Sequence, residues 1–231
     1  FSPNPTANGA FGYSVDIFGD VVVIGSPIEN DNGGRVYFTR DLNTLSGLAD
    51  ITATLPSTDT YWGTSVAAYD PAPGTPDDES IVIGTDDHDA VYVFSGATFT
   101  NITTLNRPAG GGANYGYGVD IYKGRVAVGD PSSTGASRVY VFSGAGYSTV
   151  TALTSPNAEA MGYFLELDDT RLLVGAAGTN NNTGRAVVFK RSGETWAQDG
   201  VFDASDGQAD DRLGQSVTMV NGVFAASALP T

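Results

Sequence analysis

One stretch of this chain is written five times. Phe11-Gly12-Tyr13-Ser14-Val15-Asp16-Ile17 leads to Val21-Val22-Val23-Ile24-Gly25, and a polar loop then leads to Arg35-Val36-Tyr37-Phe38. The glycines that open the copies are Gly12, Gly63, Gly116, Gly162 and Gly214, at intervals of 51, 53, 46 and 52 residues. Self-similarity at a period near fifty, with several short strand patterns per copy, signals a β-propeller or a related repeat array. Repeats that share interfaces make one body, so the period predicts a single all-β domain over residues 1–231. Its blades fall at 9–56, 57–107, 108–156 and 157–204, with a partial fifth at 205–231.

Each copy predicts four antiparallel strands. The first is short and alternating: Tyr13–Ile17, Thr64–Ala68, Tyr117–Ile121, Tyr163–Leu167 and Gln215–Met219. The second is apolar almost throughout, at Val21–Ile24, Ile81–Ile83, Arg125–Val128, Leu172–Val174 and Val223–Ala226. Such a run suits a strand covered on both faces. The third carries the Val-Tyr alternation, at Arg35–Phe38, Ala90–Phe94, Arg138–Phe142 and Arg185–Phe189. The fourth is more polar, as an outer strand should be: Ile51–Leu55, Phe99–Leu105, Thr149–Leu153 and Thr195–Phe202. Gly, Asn and Asp fill the connections, as tight hairpins require. One insertion, Asp70–Ser80, lengthens the first hairpin of the second copy.

Charge narrows the partners. The net charge is −15, and like-sign repulsion argues against nucleic acid or an anionic membrane. Of 26 acids 21 are Asp, a residue whose short carboxylate bonds turn amides; a high-salt or divalent-cation setting is the sharper reading. No apolar run is long enough to span a bilayer. The chain has no Cys, so disulfides do not hold it, and its first residue is Phe, as in a processed or trimmed product.

Phe11-Gly12 and Gly25-Ser26-Pro27 resemble the two name-giving motifs of the FG-GAP repeat, found in integrin α-subunit N-terminal propellers and their bacterial relatives. The run from Val188 through Trp196 and on from Asp203 to Gly214 resembles the bacterial version. Elsewhere the residue before the first glycine becomes Trp62, Tyr115, Met161 or Leu213, and the second motif drifts to Gly84-Thr85-Asp86, Gly129-Asp130-Pro131 and Gly175-Ala176-Ala177. A bulky plug beside a glycine that permits close approach is the shared physical need. The resemblance implies an extracellular or cell-surface setting and a non-enzymatic, adhesion-like role toward protein, matrix or glycan ligands. It also implies more blades than the sequence supplies, since family propellers usually have seven. The competing readings are a structural subunit that builds a sheath or fibre through blade contacts, a glycan-binding lectin, and a carboxylate-based hydrolase.

Candidate site residues lie where the copies differ. With one His and no Cys, thiol catalysis and multi-His metal sites are excluded. Asp86-Asp87-His88-Asp89 reads as a ligand-binding loop or as a solvated hairpin. In the family, acidic loops in the first hairpin of some blades bind calcium. None of the tight first hairpins here carries that motif, which leaves Asp70, Asp77, Asp78 and Glu79 of the insertion as candidate Ca2+ ligands. The alternative for the insertion is a solvated loop. Asp206 and Asp210, with Asp211, form a second candidate; there the alternative is a turn at Asp206-Gly207 with Asp210 or Asp211 bonding loop amides. Asn101 and Asn181 head glycosylation triplets. Tyr13, Trp62, Tyr115, Tyr117 and Tyr163 offer a sugar- or peptide-binding rim, though recurrence in every copy favours packing.

Overall fold

A computed structural model describes residues 2–44, 47–52, 55, 61–74, 78–85, 89–110, 114–132 and 137–229. It is nearly all-β, with single helical turns at Ala145–Tyr147 and Thr179–Asn182, and divides into two compact units, Phe1–Arg107 and Pro108–Thr231.

The first unit holds two antiparallel sheets of four strands, each in simple chain order. One contains β1 (Ser14–Phe18), β2 (Val21–Ser26), β3 (Arg35–Thr39) and β4 (Ala49–Asp50); the other β5 (Ser65–Tyr69), β6 (Ser80–Gly84), β7 (Ala90–Ser95) and β8 (Asn101–Asn106). The second unit repeats the plan. It has β9 (Val119–Tyr122) to β12 (Thr149–Leu153) through β10 (Arg125–Asp130) and β11 (Arg138–Ser143), then β13 (Met161–Leu167), β14 (Arg171–Ala176), β15 (Ala186–Ser192) and β16 (Thr195–Phe202). A two-stranded sheet follows, β17 (Ser216–Val220) with β18 (Val223–Ser227).

The second strands of the four-stranded sheets are buried on both faces, as their apolar runs require. Alternate residues face opposite neighbours. Val21, Val23 and Val36 meet Val66, Ala68, Ile81 and Ile83 of the next sheet. Ala127, Val139 and Val141 meet Leu167, Leu172 and Val174. Leu173 and Val188 meet Val217, Met219 and Phe224.

The recurring glycines set how closely these sheets approach. A Cβ built on Gly25 would lie 2.1 Å from the carbonyl oxygen of Gly63; on Gly129 it would lie 1.9 Å from that of Gly162, and on Gly175 1.9 Å from that of Gly214. The glycine closing one second strand therefore seats the glycine opening the next repeat. That opening glycine also ties its own hairpin: Gly12, Gly116 and Gly214 donate their N–H to Gly25, Gly129 and Ser227 carbonyls at 2.9 Å. The residue before it is the plug. Phe11, Trp62 and Tyr115 pack on Tyr37, Tyr92 and Tyr140 of their own third strands, at 5.7, 4.9 and 6.0 Å between ring centroids.

Some strand ends differ from expectation. The fourth strand of the first repeat is only Ala49–Asp50, not Ile51–Leu55, and Ala53 and Thr54 lie outside the described residues. Asp50 explains the early stop: it ion-pairs with Arg35 and accepts the Thr52 N–H at 2.8 Å, turning the chain out of the ladder. β8 starts at Asn101 because Phe99 adopts φ 51° and turns inward, its ring 4.7 Å from that of Phe38. β13 starts early, at Met161, across an irregular register between Met161 and Leu165.

Candidate functional site

Two acids of the insertion, Asp70 and Glu79, take partners within the fold. Asp70, buried, accepts the Asp20 N–H at 2.9 Å and the Ala72 N–H at 3.0 Å, which holds the β1–β2 turn against the end of β5. Glu79, also buried, is clasped by Arg40, whose Nε lies 2.9 and 2.8 Å from its two carboxylate oxygens. The two carboxylates thus take different partners, while Asp78 is exposed and Asp77 lies outside the described residues. Asp86, Asp87 and His88 also lie outside them; Asp89 pairs with Arg107 at 2.8 Å.

The second acidic group serves its loop. Asp210, at φ 70°, accepts from Asn182 Nδ2 at 3.0 Å, and Asp211 accepts the Gln208 N–H at 2.6 Å. Asp206 is exposed in the preceding turn. Among the described residues, no three acidic or histidine side chains gather as a metal site would need. Asn101 opens β8 and is exposed; Asn181 is exposed in a left-handed turn, at φ 54°.

The aromatic set divides. Trp62 and Tyr115 are buried plugs. Tyr117 and Tyr163 are half-buried and stack edge-on at 4.5 Å, and Tyr13 is exposed.

One set of carboxylates, which ties successive sheets together, does not stand out in the sequence. Asp16 accepts the Ala68 N–H at 2.8 Å, Asp120 the Leu167 N–H at 2.6 Å, and Glu166 the Met219 N–H at 2.9 Å. Each lies four residues after its opening glycine and reaches the first strand of the next sheet. The signal is an acid at an alternating position of an otherwise apolar strand; the second and fifth repeats carry Ala67 and Thr218 there. Burial pushes the Asp16 carboxyl above the usual carboxylate range, against the pull of N–H donors from Ala68 and Ile17. Such a group stabilises the fold most below its unfolded pKa, and that contribution fades as pH rises through the raised folded value. Denaturation at pH 4 and pH 7 checks this: Asp16→Asn should gain on the wild type as pH rises, and the opposite slope would count against it.

A further buried pair lies beneath Phe11. Tyr37 donates its hydroxyl to Glu29 at 2.6 Å, and Ser2 and Asn4 approach the same oxygen at 3.4 Å. Burial, then the bond to Glu29, raises the Tyr37 pKa.

Two surfaces stand open in this arrangement. On β1, Val15 and Ile17 are 64% and 59% exposed, whereas their counterparts Val66 and Ala68 on β5 are 7% and 1% exposed. In the second unit, β18 pairs only with β17 among the described residues, and its exposure alternates where other second strands are buried. No helix is long and apolar enough to cross a membrane among the described residues.

Comparison with known proteins agrees with this architecture. Residues 3–39 match the FG-GAP repeat model. No curated protein sequence matches the chain. A chain from a nidogen/laminin complex superposes with TM-score 0.59 at 13% identity, covering 93% of this chain and 71% of that one. A thermostable family-43 glycoside hydrolase gives TM-score 0.44 at 10% identity over 96% of this chain and 95% of that one, too distant to argue from. Residues 3–39 thus match one FG-GAP repeat, and the recurring four-stranded antiparallel sheets are those of a β-propeller fold.

Proposed function

We propose that the chain is a non-enzymatic interaction module that works outside the cell or on its surface and engages protein, matrix or glycan partners. The observation that carries this reading is the open apolar row of Val15 and Ile17 on β1, with Tyr13 just before it. Contiguous apolar surface left uncovered marks an interaction site, and here the same positions in the next repeat are closed by a neighbouring sheet. The nidogen/laminin structure, a complex by its description, supports a protein partner for this fold. The buried acids Asp70 and Glu79 support the non-enzymatic part, because they are held by backbone N–H groups and by Arg40.

The test is a binding panel of matrix proteins and immobilised glycans, run with the wild type and with the Val15→Lys/Ile17→Lys double variant. Both side chains are exposed, so stability should change by less than about 1 kcal/mol, while affinity for a bound partner should fall about tenfold or more. A panel without a binder, or binding indifferent to the double variant, would overturn the reading. The alternative, a subunit that assembles through blade contacts, draws on the two-stranded last sheet. Light scattering over a concentration series separates the two, because assembly raises the mass with concentration.

A further inference from the structure

We infer that Asn221 is a site of spontaneous modification: in the folded chain the Gly222 nitrogen closes a ring on its side chain, and an aspartyl or isoaspartyl residue takes its place. This concerns the tip of the last hairpin and not the apolar row on β1, so either reading can fail alone.

The chemistry needs one peptide nitrogen. The nitrogen of the residue after an Asn loses its proton and attacks the side-chain Cγ. The carboxamide nitrogen leaves as ammonia, and a five-membered succinimide remains. Solvent water then opens the ring at either carbonyl, leaving a carboxylate on a normal or a β-linked backbone. Glycine in the following position exposes the attacking nitrogen, because no Cβ shields it. Three such pairs exist: Asn8-Gly9, Asn32-Gly33 and Asn221-Gly222.

The fold treats the three differently. The Gly9 N–H donates to the Thr6 carbonyl at 3.1 Å, and the Gly33 N–H to the Asn30 carbonyl at 2.9 Å. Each of those bonds must break before its nitrogen can attack. Asn221 and Gly222 are instead the two central residues of the β17–β18 hairpin, at φ 50° and 77°, with Val220 opposite Val223. Two positive φ values in a two-residue loop make a type I′ turn, whose closing hydrogen bond belongs to the flanking pair. Among the described residues the Gly222 N–H has no acceptor. Both turn residues are exposed, and nothing lies within 4 Å of a Cβ built on Gly222.

That exposure is a property of the turn. The equivalent turn of the third repeat, Lys123-Gly124 at φ 46° and 67°, has the next sheet beside it, and Lys123 reaches Asp169 there at 2.9 Å. Both of its residues are exposed all the same. Only the last hairpin combines this turn with the reactive pair. The other tight first hairpins carry Gly19-Asp20, Lys123-Gly124 and Asp169-Thr170, none with an amide side chain ahead of a glycine.

The product changes the hairpin. A β-linked residue lengthens the main chain by one carbon in a loop of two residues, so the Val220–Val223 pair no longer closes in its register. Met219, next to Val220, donates its N–H to Glu166 of the preceding sheet at 2.9 Å, so the altered turn borders an inter-sheet contact.

The test ages the whole chain in mildly alkaline buffer at physiological temperature, beside the same chain in urea. Peptide mapping by mass spectrometry and enzymatic methylation of isoaspartyl carboxyls follow each pair. The urea sample supplies the intrinsic rate of each Asn, against which the folded rates are read. On that scale Asn221 should lead Asn8 and Asn32 by about fivefold or more, the effect of one hydrogen bond that must first open. Asn221→Lys copies the Lys123-Gly124 turn, and should remove the early isoaspartyl signal with the far-ultraviolet circular dichroism unchanged. Asn8 or Asn32 in the lead, an Asn221 that stays intact in the folded chain while it converts in urea, or an early signal that survives Asn221→Lys would overturn the inference.

Discussion

Gly129→Ala should destabilise the second unit by about 3 kcal/mol or more, at the upper end of what overpacking costs. The added methyl carbon would lie 1.9 Å from the Gly162 carbonyl oxygen and 2.7 Å from its carbonyl carbon. Neither atom can retreat alone, because Gly162 sits at φ +106° between two sheets and its neighbours carry the β13 ladder. Gly12→Ala provides the control. Gly12 has the opposite problem to Gly129: its backbone is left-handed, at φ +84°, where that of Gly129 is not, but nothing lies within 4 Å of its would-be Cβ. That change should cost only the conformational penalty of about 1–2 kcal/mol. Urea denaturation of both variants checks the contrast, and a Gly129→Ala variant no weaker than Gly12→Ala would refute the close-seating account.

Arg40→Ala should cost about 3 kcal/mol, within the range for breaking a buried ion pair from one side. The Glu79 side chain is 1% exposed and would be left as a buried charge without its partner. Arg40 also lies over the rings of Phe99 and Phe38, at 4.9 and 5.3 Å to the centroids, and donates to the Ala97 carbonyl at 3.1 Å. Replacing both partners, Arg40→Ala with Glu79→Leu, should recover most of the loss, because the uncompensated charge is then gone. Equal stability of the single and double variants would show that Arg40 acts through packing alone. The pair also shows that acids of an insertion can find their partners inside the fold. Asp70 and Glu79 stand out in the sequence by their oxygens, but each is engaged by a turn or a guanidinium, and only the folded chain reveals the partner.

The sheets were legible because their signal is periodic and repeated. A run such as Val21–Ile24 followed by Arg35–Phe38 fits little but adjacent strands, and five copies set the boundaries against one another. Misplaced strand ends trace to single side chains that act on the backbone. Asp50 turns the chain at Thr52, and Phe99 buries its ring instead of extending a ladder. Neither shows in hydrophobic alternation. The acids at Asp16, Asp120 and Glu166 were visible as letters but not as a set, because their acceptor role depends on a strand some fifty residues away. The open surface at Val15 was equally hidden. In sequence this residue matches the buried members of its series, and exposure is a property of what stands beside it.

The contacts between successive sheets have a consequence for how such a chain can grow. Carboxylates reach a backbone N–H of the following strand, and glycines meet a backbone carbonyl. Every repeat possesses those groups whatever its side chains are. A repeat copied in tandem therefore arrives already compatible with its neighbour, with no co-adapted pair of residues to evolve first. Drift is then free to accumulate in the hairpin loops, and the number of repeats becomes a variable that selection can change in whole steps.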